Sequence, residues 1–371
     1  MNDQAVQTAI LDALSQHNSY LQRLSSSSVN EILNKFDGLS IEMLNKLRDL
    51  LDDLGESEKA ALASGKYTTP SLKEIQGVIM GWQQSITITL PEIFTASAVA
   101  LAVHEARFIY SLADKRRPEL EGEKLFNKIR KLPYAEGQLI DLIFPNIAEG
   151  VRKKVEYVIR DGIYQGQATQ QIIHRIKGTK NLNYSDGLLH QARNAIDAEV
   201  KTARAHVSNI AYFDTWKALG FEYTKDVATL DGRTSLGCAA KDGRIQQIGE
   251  GHQKPPYHRR CRTVQIGCDK EGDLEGVRPF VADNRPVKNI PKDQRDGKIG
   301  QVDANTTYKE WFDRQDESFQ KEWLGPSKYK LYSKGGFTID KFVDPLNGKP
   351  FTLSELKVLD VKTFNNVLGG T

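Results

Sequence analysis

ATLDGRTSLGCAAKDGRIQQIGEGHQKPPYHRRCRT, residues 228–263, is the stretch on which the reading of this chain turns. Reduced to its chemistry it is Asp231-x-Arg233-Thr234-x3-Cys238-x3-Asp242-Gly243, a polar gap, then Pro255-Pro256-x-His258-x2-Cys261-Arg262. Two cysteines and a histidine, the second cysteine three residues after the histidine, supply three ligands of the kind a tetrahedral zinc takes. A structural zinc needs a fourth. Ser235 stands at Cys-x-x-Cys spacing before Cys238 but offers only a hydroxyl; His252 or Cys268 could complete the set, and spacing does not choose between them. The competing reading is a reduced, buried cysteine pair beside a hydrogen-bonded histidine. Cys238, His258 and either Asp231 or Asp242 are also the residue types of a nucleophile, a base and an orienting acid, although their spacing is diagnostic of no hydrolase. Asp231 and Arg233 are expected to pair across a local turn, and Asp242-Gly243 is a dipeptide favoured in hairpin turns.

The cysteine usage of the whole chain fits a local role. Only three occur in 371 residues, all between Cys238 and Cys268. So low and odd a number argues against a secreted disulfide scaffold. A hydrophobic share of 39% and a net charge of +3 exclude wholesale disorder and give no global case for nucleic-acid binding. The opening MNDQAVQTAILDALSQ lacks the basic and apolar regions of a signal peptide. The apolar run IFTASAVAL at 93–101 is expected to fall short of a membrane span, so no membrane association is expected.

Outward from the centre, residues 1–165 read as helical. Leu44, Leu47, Leu51 and Leu54 recur on one helix face, with Gly55 placed as a left-handed terminator. Thr69-Pro70 reads as an N-cap with proline at the first helical position, and Leu90-Pro91 as the opening of a further helix. Ile196, Val200, Ala203, Val207 and Ile210 form the apolar face of a helix ending near Gly220, and Glu199, Thr202, His206 and Asn209 form a polar stripe along its other side. Strands are expected around 221–223, 227–230 and 263–266. Residues 272–306, dense in proline, glycine and charge, read as a linker or extended arm, and Tyr308, Trp311, Phe312, Phe319, Trp323 and Leu324 as one aromatic helix closed by Gly325-Pro326. Trp216, Trp311 and Trp323 are assigned to packing. Residues 1–60 carry ten acids against five bases and residues 151–210 the reverse, five against ten, so the sign of the charge changes along the chain.

Residues 196–263 resemble the phage Mu F-like minor head protein (phage head morphogenesis) family. Glu199, Thr202 and Arg204 resemble its E-x-x-T-x-R element; Asp231, Arg233, Thr234, Cys238, Asp242 and Gly243 its D-x-R-T…C…D-G turn; and Pro256, His258, Cys261 and Arg262 its closing P-x-H-P-x-C-R-C. The tail from Thr306 to Leu356 resembles that of many members, so the resemblance covers roughly half the chain. This sequence departs from the pattern at Ser235, where the family often has cysteine, at Arg259, where it has proline, and at Thr263, where it has the last cysteine.

The resemblance implies a minor capsid protein of a tailed bacteriophage, associated with the portal protein, acting in head morphogenesis and, in some members, in DNA delivery at ejection. The implied location is the head interior or portal vertex, with the host cytoplasm during assembly. The expected fold class is α+β: a helical region 1–165, a mixed domain 166–270, an arm 271–306 and a helical C-terminal segment 307–371. The acidic N-terminal stretch could meet a portal, major capsid or scaffolding protein; the basic stretch with Arg259, Arg260 and Arg262 could meet packaged DNA or an acidic portal surface. No catalysis is expected. Two alternatives from other classes are a genome-delivered nuclease or peptidase and a zinc-stabilised nucleic-acid-binding module.

Overall fold

The structure, a computed structural model, describes residues 3–112, 119–283, 285 and 287–369, with side chains from residue 27 onward. The side chains on which the leader-peptide reading rests therefore lie outside the described residues. The fold is α+β, as expected.

The N-terminal half is built from α1 (Asp3–Asp52), α2 (Glu56–Ala63), α3 (Pro70–Leu112), α4 (Gly122–Ile129), α5 (Ile143–Tyr164), α6 (Thr169–Lys177) and α7 (Leu188–Ala218). One continuous core joins them, because each long helix repeats an apolar residue every three or four positions. The stripe Leu44, Leu47 and Leu51 of α1 is buried against α3, whose Leu72, Ile75, Ile79, Trp82, Ile86 and Leu90 are buried in turn. α3 also packs on α5 and α7. An 18-residue window of α3 has a mean hydropathy of 1.8, which matches a membrane span by length and composition, and a third of that window is buried inside the protein. The expectation that no stretch reaches that length is corrected on this point; a helix packed into a bundle passes the same test.

Two helix boundaries also differ from expectation. Pro91 does not start a helix; α3 runs through it. Leu90 and Phe94, on either side, are buried, and that packing holds the helix together across the missing N–H. Gly55 does not terminate α1. Its φ of −74° is not left-handed, and it caps the start of α2. At the other end of that linker Thr69 caps α3 as expected, its Oγ1 accepting from the Leu72 amide at 3.3 Å.

The second half carries two small sheets. β1 (Tyr223–Val227) lies between β3 (Ile245–Gln247) and β4 (Val264–Cys268), antiparallel to both, with Tyr223 opposite Gln247 and Cys268. β5 (Val277–Val281) lies between β2 (Leu230–Asp231), parallel, and β6 (Ile299–Asp303), antiparallel. A short helix, α8 (Leu236–Lys241), sits between β2 and β3. The segment read as a linker or arm thus supplies two strands of a sheet. Its prolines hid them: Pro279 stands inside β5, but β2 meets β5 only at Phe280 and Val281, so one side of the strand is largely unpaired where the proline lies.

The chain closes with α9 (Tyr308–Asp313), α10 (Glu317–Leu324), α11 (Pro326–Gly335), α12 (Leu353–Leu359) and α13 (Val361–Leu368). The single aromatic helix expected here is two. Asp316 caps the second, accepting from the Phe319 amide at 2.8 Å, which breaks the run after Asp313. The aromatics do form one core with Leu230 and Ala239, so the C-terminal helices are packed onto the motif region. Trp216 and Trp311 are fully buried and Trp323 packs at the edge of this core.

Candidate functional site

α7 brings its polar stripe against α3 on one side and the 256–263 loop on the other. Glu199, buried, pairs with Arg259 at 2.6 Å. Burial raises the pKa of the Glu199 carboxyl more than Arg259 lowers it. Thr202 Oγ1 donates to the Ala198 carbonyl at 2.6 Å and accepts from the Arg260 amide at 2.9 Å. Arg260 also reaches Asp197 at 2.9 Å. Arg204, buried, donates to Ser97 Oγ of α3 at 3.1 Å and lies beside Glu105, which accepts from the Tyr212 hydroxyl. The polar stripe is therefore the joint between α7, α3 and the loop.

His206 lies deeper still, stacked on Tyr134. Burial lowers its pKa to about 4. An unfolded chain protonates a histidine below about 6.5, so folding stability is complete above that pH and falls as pH drops toward 4, by about 3 kcal/mol in total. Denaturation at pH 7 and pH 5 should show about 2 kcal/mol of this loss in the wild type and less in His206→Gln; equal losses would contradict it.

The motif aspartates hold the sheets. Asp231 accepts a bidentate pair from Arg262, both bonds 2.6 Å, and a further bond from Arg233 at 3.0 Å, the local pairing expected. Burial pushes its pKa upward, but Arg262 outweighs burial and holds it below the ordinary carboxylate value. Asp242 accepts from the Ala228 amide at 2.7 Å, the Tyr308 amide at 2.5 Å and Arg278 at 3.0 Å. Asp242-Gly243 is thus no two-residue hairpin turn; it links α8 to β3. Gly243 has φ +83°, and an added Cβ would stand 2.9 Å from Thr307 Cγ2. Gly243→Ala is expected to cost about 1–2 kcal/mol from the left-handed backbone alone. A urea midpoint identical to wild type would refute this.

The cysteines divide. Cys238 Sγ lies 3.1 Å from His258 Nε2 and 3.5 Å from Cys261 Sγ, and the three ligand atoms all lie within 4.8 Å of one another. Cys238 comes from α8, His258 and Cys261 from the loop after the Pro255-Pro256 bond. His252 does not join them: its ring nitrogens meet Gln247 O at 3.0 Å, Gln265 Oε1 at 3.1 Å and Thr224 Oγ1 at 3.3 Å. Neither does Cys268, which packs with Trp216 and Ile266 and whose thiol burial pushes up to about 12. Ser235 is there instead. Its Oγ lies 2.8 Å from His258 Nε2 and accepts from the Cys238 amide at 3.2 Å.

His258 Nδ1 lies 2.7 Å from the Arg259 carbonyl, which can only accept, so Nδ1 carries a proton. The two thiols differ: the Cys238 S–H beside it lowers the pKa of Cys261 well below the ordinary value, and Cys238 is raised by the same contact. Burial alone would lower His258, but the adjacent Cys261 sulfur raises it. An Asp–His–Cys set is not assembled. Asp231 and Asp242 are taken by arginines, and a backbone carbonyl orients the ring.

One group escaped the reading of the sequence. Asp226, fully buried, accepts from Tyr257 at 2.7 Å, Gln265 at 2.9 Å and Arg244 at 2.9 Å, linking β1, β4 and the loop beneath Lys241. The available signal was an aspartate inside a strand, but its partners depend on a register that the sequence leaves open.

Comparison of the chain with protein-family models, with curated proteins and with solved structures finds no match.

Proposed function

We propose that this chain is a minor head protein of a tailed bacteriophage, docked at the portal vertex and acting in head morphogenesis. One observation carries the reading: Glu199, Asp231, Arg233, Asp242 and Arg262, five of the charged residues of the motif, are engaged in ion pairs within the chain. A motif used up in this way fixes a shape, and a shape is what an assembly component contributes. The sequence resemblance supplies the particle in which that shape serves.

The charge pattern favours a protein partner over DNA. Within the basic stretch, Arg152, Lys153, Arg175, Arg193 and Lys201 are paired with carboxylates, and Arg259, Arg260 and Arg262 likewise. Pairing leaves these cations less free for phosphate contacts, most so for Arg152, Arg175 and Arg262, whose side chains are mostly covered, and least for the largely exposed Lys153, Arg259 and Arg260. The portal protein is accordingly the first partner, major capsid or scaffolding protein the second, and packaged DNA the third. Mass spectrometry of purified procapsids and virions of the encoding phage tests the reading. The chain is expected in both at low copy; its absence from both would overturn the proposal.

A further inference from the structure

Three ligand atoms of the right kind converge where α8 meets the 256–263 loop, the two cysteines buried and the histidine partly so, between segments also joined by the Asp231–Arg262 pair and the Ser235–His258 contact. Cys238 and Cys261 belong to a small core of their own with Ala228, against which Tyr257 packs, and His258 lies partly buried beside them. Two thiolates on one tetrahedral zinc stand about 3.8 Å apart, given sulfur–zinc bonds of about 2.3 Å. The sulfurs here are 3.5 Å apart, so an ion would spread them by a few tenths of an ångström only. A sulfur and an imidazole nitrogen on the same ion stand about 3.6 Å apart by the same reasoning, against 3.1 Å here.

The surroundings are arranged as they are around a metal. A histidine ligand is oriented by a hydrogen bond from its other nitrogen, and His258 has that bond, to the Arg259 carbonyl. With Nδ1 protonated in the neutral ring, the Nε2 lone pair faces Cys238 and Ser235. The Thr263 hydroxyl lies against Cys238, is buried, and has no hydrogen bond of good geometry among the described residues. An orphaned hydroxyl at that place marks room for a further polar occupant. Two soft thiolates and an imidazole select zinc over magnesium or calcium, which take oxygen ligands.

The geometry points to a zinc ion held by Cys238 Sγ, Cys261 Sγ and His258 Nε2, with an oxygen at the Ser235 position, its hydroxyl or a water bound to it, as the fourth ligand. The ion staples α8 to the 256–263 loop, and through Arg259 and Arg260 it ties that loop to α7. It answers the question of the missing sulfurs: where the resembled pattern often carries cysteine, a serine leaves a three-ligand site with an oxygen in the fourth place. The inference is independent of the assembly role.

The test uses the full chain purified without chelator. Metal analysis is expected to find close to one zinc per chain, and Cys238→Ala/His258→Ala to retain less than about a tenth of that. Cobalt replacing zinc is expected to give the visible bands of a tetrahedral ion and the near-ultraviolet charge transfer of two thiolates. Ser235→Cys supplies the readout that misfolding cannot imitate: a third thiolate raises that charge transfer about 1.5-fold and slows metal loss to a chelator at least about tenfold. Folded wild-type chain with neither zinc nor cobalt bands, or with a Cys238–Cys261 disulfide when isolated under acid quench, would overturn the site. Unchanged charge transfer in Ser235→Cys would overturn the placing of the fourth ligand.

Discussion

Arg278→Ala is expected to lower the stability of the chain by about 4 kcal/mol, the largest loss from any surface-to-core charge in the second half. Arg278 and Asp242 form a pair whose side chains are 5% and 0% exposed. Arg278 also donates to the carbonyls of Thr306 and Ala228, so its two terminal nitrogens reach three segments. Removing it leaves Asp242 buried with only the Ala228 and Tyr308 amides. A buried carboxylate without its cation is the costly state, more than the pair is worth relative to apolar packing. The two sheets, and the C-terminal helices that follow Tyr308, should loosen together. Urea denaturation followed by far-ultraviolet circular dichroism reads the effect; a loss under about 1 kcal/mol would mean that the pair carries little of the fold.

Asp231→Ala is expected to cost about 3 kcal/mol, since Arg262 then loses both of its short bonds and is left partly buried. Asp231 O also accepts from the Tyr308 hydroxyl at 2.9 Å, a backbone bond that the substitution spares, so the C-terminal helices should stay docked. The substitution has a pH signature as well. The folded Asp231 carboxyl lies below its ordinary value, so the unfolded chain takes a proton there first as pH falls. The stability that the pair contributes is present above the unfolded value, about 3.9, and is lost as pH falls through the folded one. Asp231→Ala should therefore be destabilised at pH 6 and approach wild type in strong acid. An equal gap at both ends would show that the loss came from packing and not from charge.

Much of this fold could be read from spacing. The helical first half follows from 3–4 periodicity because burial on one face is all that those helices need, and the Leu44, Leu47 and Leu51 stripe is buried as such a stripe should be. Proline at 91 and 279 misled because its local cost is outweighed by packing or placed where no partner strand exists. The aromatic run after Tyr308 could not reveal its break at Asp316, since a cap and a solvent-facing aspartate look alike in one dimension. In the candidate site, Cys238, His258 and Cys261 were legible as a group because His258 and Cys261 are three residues apart and Cys238 lies within the same short motif region. That His252 and Cys268 stand apart from them was not, nor was the capture of Asp242 by Arg278, which lies 36 residues away and arrives only when β5 pairs with β2. The charge counts hid something else: in the basic stretch, which could meet packaged DNA or an acidic portal surface, at least five of the ten cations are paired with carboxylates, which no linear sum can show.

On the proposed function, the motif builds a rigid component of the portal vertex. Coexpression of this chain with the tagged portal protein of the encoding phage, followed by purification of portal rings, tests it most directly. The claim predicts that the chain comigrates with the rings at a fixed ratio, and that Arg278→Ala lowers the bound amount in step with its loss of folded protein. Portal rings that purify without the chain, from cells in which it is soluble and folded, would contradict it.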